Sequence, residues 1–95
     1  MKDYFVASAA VTIRIEGAVT LKDRRQVVRS LLDRLRAKGL TACDVDGGQH
    51  VNAARLALAF VSAEACLARQ TVQDAVAFIE DDGRAEVLSV EYDLY

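Results

Sequence analysis

The segment from Leu21 to Gly39 constrains the fold most, because it combines a helical apolar pattern with dense positive charge. Its apolar residues recur at three- and four-residue intervals, which places them on one stripe of an α-helix. They are Val27, Val28, Leu31, Leu32 and Leu35. The same segment holds seven of the twelve basic residues of the chain. It therefore predicts an amphipathic helix with a buried stripe and a basic outer surface.

Both ends of this helix are marked in the sequence. Thr20 precedes it as a candidate N-cap, and Asp23, three residues on, can complete a weaker form of the capping box. Gly39 is placed to end it, since glycine tolerates the left-handed conformation at a helix terminus. The helix is therefore expected between Thr20 and Gly39.

The size and composition of the chain are those of one folded unit. Its 95 residues suffice for a single domain, 1–95, with one core. Hydrophobic residues make up 53% and charged residues 27%, which is typical of a compact domain. No apolar run approaches the roughly 18 residues of a membrane span, and Met1-Lys2-Asp3 does not open a signal peptide. We therefore expect a cytoplasmic protein with no membrane partner.

Strand patterns lie on both sides of the basic helix. Residues 5–15 alternate with a period of two, which predicts a strand. Residues 40–46 predict a short second strand that ends at the turn Gly47-Gly48. Residues 51–61 are apolar on both sides, which is typical of a central strand. Residues 85–95 alternate again and place Leu88, Val90, Tyr92 and Leu94 on one face.

A second helical pattern lies between the third and fourth strands. Ser62 opens it and Asp81-Asp82-Gly83 closes it. Its apolar stripe consists of Leu67, Ala68, Thr71, Val72, Ala75, Val76 and Ile79. The element order is then β-α-β-β-α-β, which predicts an α+β, ferredoxin-like fold. Two right-handed crossovers in this fold place both helices on one face of a four-stranded antiparallel sheet.

The opposite face of the two central strands is the first candidate site. If the larger side chains face the helices, the open face is small and mostly apolar. Arg14 and Arg55 lie on it beside Val6, Ser8, Ala10, Thr12, Ala57, Ala59 and Val61. It lacks the aromatic side chains on which single-stranded RNA stacks. Such a face favours a homodimer interface, or else a sheet that remains half exposed.

The charges of the two signs are separated along the chain. Residues 1–39 carry a net charge of +5 and residues 40–95 a net charge of −7. Lys22, Arg25 and Arg29 share a helix face through their spacing, and Arg24 and Arg36 lie close by. Cations in a first helical turn oppose the helix dipole, which favours a functional reason for them. These residues either bind phosphate groups or form a solvated face that pairs with the acidic residues of segment 40–95.

No constellation for catalysis or for a metal or other cofactor stands out. Asp44, Asp46 and His50 surround the Gly47-Gly48 turn, but a calcium loop or a zinc site needs a denser ligand set. This segment is better interpreted as a polar hairpin turn. Cys43 and Cys66 lack paired spacing and are expected to be buried, reduced thiols. We expect a protein that is not an enzyme, with no small-molecule substrate.

The head of the basic helix resembles a family motif. Thr20 to Arg25 match the pattern Ser/Thr-Leu-Lys-Asp-Lys/Arg-Arg of the YlxP-like family of small bacterial proteins, a family of unknown function. Ser30 to Arg36 and Asp44-Val45-Asp46 match two further parts of its pattern. The Trp-Gln-Arg-Ala stretch that often follows in that family is Val51, Asn52, Ala53 and Ala54 here.

The resemblance implies a ferredoxin-like domain over almost the whole chain. Genes of the family often lie near those for translation and ribosome-maturation factors, which implies an RNA or ribosome context. Two hypotheses follow. In the first, the basic helix binds structured RNA or the ribosome through Lys22, Arg24, Arg25, Arg29 and Arg36. In the second, the chain is a homodimeric protein-protein interaction module that meets no nucleic acid.

Overall fold

The computed structural model describes residues 3–48 and 50–95, which form four strands and two helices. The strands are β1 (Phe5–Ile15), β2 (Thr41–Asp44), β3 (Ala53–Ser62) and β4 (Ala85–Leu94). The helices are α1 (Leu21–Ala37) and α2 (Ala65–Glu80). The sheet order is β2-β3-β1-β4, and all neighbouring strands are antiparallel. The predicted ferredoxin-like α+β fold is confirmed, with β1 and β3 in the centre.

The core lies between the sheet and the two helices. One face of β1 is buried along its whole length, from Ala7 to Ile15, and Leu56 and Leu58 of β3 lie on the same side. All five residues of the predicted α1 stripe are buried and join that cluster, as do five residues of α2. Because one cluster contains residues of both helices, both helices pack on the same face of the sheet.

The ends of α1 follow the predicted local chemistry. The Thr20 hydroxyl oxygen accepts a hydrogen bond from the Asp23 amide at 3.1 Å, and the Asp23 carboxylate accepts one from the Thr20 amide at 3.2 Å. This reciprocal pair is the capping box. Gly39 has a φ of +92° directly after the C-cap Lys38, so the chain turns where only glycine is unstrained.

The last strand departs from the predicted alternation. The β1–β4 register shifts between Thr12 and Ile13, so that Val87 rather than Leu88 opposes Ile13. Val87 therefore packs against the core, while Leu88 is 51% exposed. An irregularity of this kind inserts one residue into a strand and reverses the faces beyond it. The prediction that Leu88 and Val90 share one apolar face is wrong for this reason.

Three further side chains lie on surfaces that the sequence pattern did not predict. Cys43 and Cys66 are both exposed free thiols, so the expectation of buried cysteines is wrong. Cys43 follows the buried Ala42 in β2 and thus faces the open side of the sheet. Leu67 lies in the first turn of α2 and is 49% exposed, outside the buried stripe of that helix.

A salt bridge in the α2–β4 connection fastens this loop to α1. Arg84 donates to both carboxylate oxygens of Asp82, at 3.0 and 2.7 Å, and to the Ser30 hydroxyl at 3.1 Å. These hydrogen bonds lower the pKa of the Asp82 carboxyl to about 2, against the opposing effect of burial. The Asp82 side chain is nearly buried, whereas that of Arg84 is half exposed.

We predict that Asp82→Asn lowers the free energy of unfolding by about 1–2 kcal/mol at neutral pH, since screening at the half-exposed Arg84 limits the effect. A carboxyl group whose pKa is lower in the folded than in the unfolded chain stabilises the fold at pH values above the unfolded-state pKa. That stabilisation is lost as the pH falls from about 4 towards 2. Urea unfolding of both proteins across this window tests the prediction, with the exposed neighbour variant Asp81→Asn as control. The prediction would be contradicted if Asp82→Asn and the parent protein differed in free energy of unfolding by the same amount at every pH in this window.

Candidate nucleic-acid interface

Arg24 is a buried anchor at the head of α1. Its side chain is 3% exposed, and it is the one charged side chain that is buried among the residues described. Its Nε donates to the Ala53 carbonyl oxygen at 3.0 Å. Its two terminal nitrogens donate to Asp44 at 3.0 Å and to Asp46 at 3.3 Å. The guanidinium therefore joins α1 to the end of β2 and the start of β3.

The β2–β3 connection is shaped to hold this guanidinium. The Asp46 amide donates to the Asp44 carboxylate at 3.1 Å, which fixes the acidic pair. Gly47 and Gly48 have positive φ values of 69° and 83°, so the chain reverses as the predicted turn. His50 Nδ1 lies 3.5 Å from the Asp46 carboxylate. In residues 3–48 and 50–95, no three His, Cys, Asp or Glu side chains form a group that could hold a metal ion.

This geometry corrects the prediction that Arg24 contacts RNA. Arg24 has almost no exposed surface, and all three of its nitrogens donate to protein oxygen atoms. Arg24 lies three and four residues before Val27 and Val28, and thus on the apolar stripe of the helix. That spacing, together with an acidic pair at the end of the next strand, is a signal from which its burial could have been predicted.

Two more α1-region cations are engaged by the fold. Arg36 donates from Nε and Nη2 to the Ala42 carbonyl oxygen, at 3.2 and 2.7 Å, and lies 4.0 Å from Asp33. Lys38 places its ammonium 4.8 Å from the centre of the Phe78 ring. Arg36 is half exposed, so it lies at the margin of the predicted site with part of its guanidinium already used.

The four remaining cations line one surface. Lys22, Arg25, Arg29 and Arg34 are exposed and, within the part of the chain described, their side chains make no hydrogen bond or salt bridge. All four line an open groove of about 620 Å³ together with Gln26, Ser30 and Asp33. We call these four residues the α1 cation row. The predicted common face of Lys22, Arg25 and Arg29 is confirmed.

Arg34 was missed by the sequence interpretation because it follows Arg29 by five residues, outside the three- and four-residue spacing. It belongs with Gln26 and Ser30, which precede it by eight and four residues and line the same groove. The expected pairing of the basic face with the acidic second half is found for Arg24. Within the described residues no member of the α1 cation row makes such a salt bridge, although Arg34 adds a longer-range attraction to the Arg84 hydrogen bonds that lower the pKa of the Asp82 carboxyl.

Unpaired cations at this spacing cost stability. Like charges three or four residues apart on a helix destabilise it by roughly 0.2–0.5 kcal/mol per pair. Lys22, Arg25 and Arg29 contain two such pairs in series. Among the described residues these three side chains make no salt bridge, whereas an anionic partner would offset their repulsion. The α1 cation row is therefore a candidate surface for binding an anion.

The open face of the sheet lies on the other side of the molecule. Ser8 opposes Ala59 and Ala10 opposes Ala57 across β1 and β3, with Val6 opposite Val61. Small side chains leave a shallow groove of about 280 Å³ there, which also contacts Cys43 and Glu91. At its end, Arg55 donates to Thr12 at 2.8 Å and to Glu91 at 2.7 Å. The predicted composition of this face is confirmed.

Comparisons with known proteins identify the family and the fold. The family model described as "Protein of unknown function (DUF503)" matches residues 6–92. A de novo designed protein, Foldit4, is similar in structure with a TM-score of 0.58 and 9% identity. The match covers 97% of this chain and 96% of that one, and at this identity it shows the fold alone. The search of curated proteins found no match.

Neither helix in the described part of the chain is long and apolar enough to span a membrane.

We predict that Arg24→Ala and Arg25→Ala separate the structural cation from the surface cation. Removing Arg24 leaves the mostly buried carboxylates of Asp44 and Asp46 without their guanidinium partner, which should lower the free energy of unfolding by about 3 kcal/mol. Removing its exposed neighbour Arg25 should change it by less than about 0.5 kcal/mol. Chemical denaturation followed by circular dichroism measures both. Equal effects of the two variants would refute the assignment of Arg24 as an anchor.

Proposed function

The chain belongs to the DUF503 family of proteins of unknown function, and from this premise we propose that it is a non-enzymatic protein that binds structured RNA, in the context of the ribosome, through the α1 cation row. The observation that carries the proposal is the division of the α1 cations. Arg24, Arg36 and Lys38 are used by the fold, while Lys22, Arg25, Arg29 and Arg34 lie together on one open groove.

Phosphate is the anion that this surface fits best. Guanidinium groups bind phosphate oxygens with paired N–H donors, and a row of them matches a polyanion rather than a single charge. Such contacts position a protein on nucleic acid without reading its sequence. The net charge of the chain is −2, so the attraction is local to α1. Contacts of this kind release counterions and weaken with salt.

The resemblance at Thr20 to Arg25 supports a finer assignment. We propose that the chain is a YlxP-like member of its family, located in the cytoplasm, where ribosomal RNA is available. In this motif Thr20 and Asp23 cap the helix and Arg24 anchors it, while Lys22 and Arg25 face the groove. The motif thus holds a helix in place and presents two cations from it.

We predict that Lys22→Ala/Arg25→Ala/Arg29→Ala weakens binding to a structured RNA by about tenfold or more at low salt. The slope of log affinity against log salt should fall by about two to three units, roughly one per phosphate contact. Fluorescence anisotropy with a labelled ribosomal RNA hairpin provides the measurement.

The control is a second triple variant, Arg14→Ala/Lys38→Ala/Arg69→Ala, which removes the same charge from exposed sites outside the groove. It should bind nearly as the parent protein does. If both triple variants lose the same affinity, net charge rather than the α1 cation row accounts for the binding. If the parent protein does not bind at low salt, the proposed function fails.

The alternative is a homodimeric protein-protein interaction module that buries the open sheet face. The half-buried groove of Ser8, Ala10, Ala57 and Ala59 favours it, since contiguous small apolar surface suits close contact with a second copy. In this alternative the α1 cation row meets an acidic protein.

We predict, for this alternative, that Ala10→Glu or Ala59→Glu splits a dimer into monomers, because each places a charge in the middle of the face. Light scattering on the parent and variant proteins measures the native mass. A parent protein with the mass of one chain, 10.4 kDa, would remove the alternative, whatever the outcome of the RNA experiments.

A further inference from the structure

The groove at the α1 cation row offers no surface for stacking bases. Its lining is Lys22, Arg25, Gln26, Arg29, Ser30, Asp33 and Arg34, none of which is aromatic. Proteins that bind single strands combine a basic groove with aromatic side chains on which successive bases stack. This groove has the charge without the aromatic platform. Such a groove is suited to phosphate and ribose rather than to the faces of bases.

The exposed Tyr95 does not complete such a platform. Tyr95 is 62% exposed and opposes Val6 through two backbone hydrogen bonds, which places it at a corner of the open sheet face. The open face and the α1 cation row point in opposite directions, since the sheet and the core lie between them. A strand bound along α1 would not reach Tyr95 with the same nucleotides.

The α1 cation row projects from a fixed helix backbone. It spans thirteen residues of a continuous helix, a rise of about 18 Å. The helix is fixed at its head by the hydrogen bonds of Arg24 and near its tail by those of Arg36. A fixed row of cations complements phosphates that are already held in a fixed array. A flexible single strand would lose conformational entropy on binding it, whereas a duplex is ordered beforehand.

One carboxylate stands within this row. Asp33 lines the groove among the cations, and its side chain is 67% exposed. A carboxylate repels phosphate, but it accepts a hydrogen bond from a hydroxyl group. The ribose 2′-hydroxyl is such a donor, it lies along the shallow minor groove of A-form RNA, and DNA lacks it. The Gln26 amide in the same groove can both donate and accept.

We propose that the α1 cation row docks on the phosphate and ribose backbone of an A-form RNA duplex, with Asp33 accepting from 2′-hydroxyl groups. Lys22, Arg25, Arg29 and Arg34 hold the phosphates, and Asp33 makes the surface prefer RNA over DNA. The inference rests on the proposed function, because it names the class of RNA that the same groove takes.

The test compares four labelled or competing probes at low salt. They are an RNA duplex of about 20 base pairs, longer than the site needs, a DNA duplex of the same sequence, one unpaired RNA strand, and polyglutamate as competitor. We expect the RNA duplex to bind about tenfold or more tightly than the DNA duplex or the single strand. Its salt slope should lie near −3, for three to four phosphate contacts.

Asp33→Ala supplies the specific variant. It should raise affinity for the DNA duplex several-fold and thus narrow the preference for RNA. Asp74→Ala is the matched control, because it removes one carboxylate from an exposed site on α2, where Asp74 accepts from Gln70. It should leave the ratio of the two affinities unchanged. Urea unfolding of Asp33→Ala confirms that a change in the ratio does not reflect loss of the fold.

The outcomes separate this inference from the function on which it rests. If no nucleic acid binds, the proposed function itself is refuted. If the single strand binds as tightly as the RNA duplex, binding to RNA stands and the duplex assignment is overturned. Equal affinity for the two duplexes, or an unchanged ratio in Asp33→Ala, overturns the role of Asp33. Displacement by polyglutamate at matched charge concentration would show an acidic protein partner instead.

Discussion

The burial of one guanidinium decides how the basic helix is used. Arg24 lies on the apolar stripe of α1, where a charge is tolerated only with partners on every side. The fold supplies Asp44, Asp46 and the Ala53 carbonyl oxygen at 3.0–3.3 Å. These contacts join the head of α1 to both strands that the β2–β3 connection links. With Arg24 turned inwards, Lys22, Arg25 and Arg29 lie on other sides of the helix and are exposed.

This arrangement gives two physical roles to a single short motif. Thr20 and Asp23 form the capping-box hydrogen bonds at the start of the helix. Arg24 binds the helix to the end of β2. Lys22 and Arg25 are left on the groove. The backbone of this helix is already ordered before a polyanion binds, so only the side chains of the row remain to be ordered on binding.

Local chemistry made much of the fold predictable. The α1 stripe, the capping box and the turn at Gly47-Gly48 depend on residues a few positions apart, and all three are confirmed. The order of the strands followed from the order of the elements. The displaced Leu88 depends instead on how β4 pairs with β1, and the exposure of Cys43 depends on β2 being an edge strand. The periodicity of a single segment predicts neither the pairing of β4 with β1 nor the edge position of β2.

The candidate site was predictable to the same extent. Helical spacing placed Lys22, Arg25 and Arg29 together. It did not show that Arg24 contacts two carboxylates that lie 20 and 22 positions further along the chain. The spacing also did not indicate Arg34, which lines the groove together with Ser30, four residues before it. Charge counting alone had suggested a basic helix neutralised by an acidic second half. Among the described residues, Arg24 makes salt bridges of this kind and no member of the α1 cation row does.

In α1, Arg24 is an internal anchor, and the outer cations form the row that we propose binds phosphate. Nuclear magnetic resonance of the arginine side-chain Nε–Hε groups during titration with an RNA duplex tests this division. We expect the signals of Arg25, Arg29 and Arg34 to shift, while that of Arg24, which donates to Ala53, stays in place. A shift at Arg24, or shifts confined to Arg14 and Arg55 on the open sheet face, would contradict it.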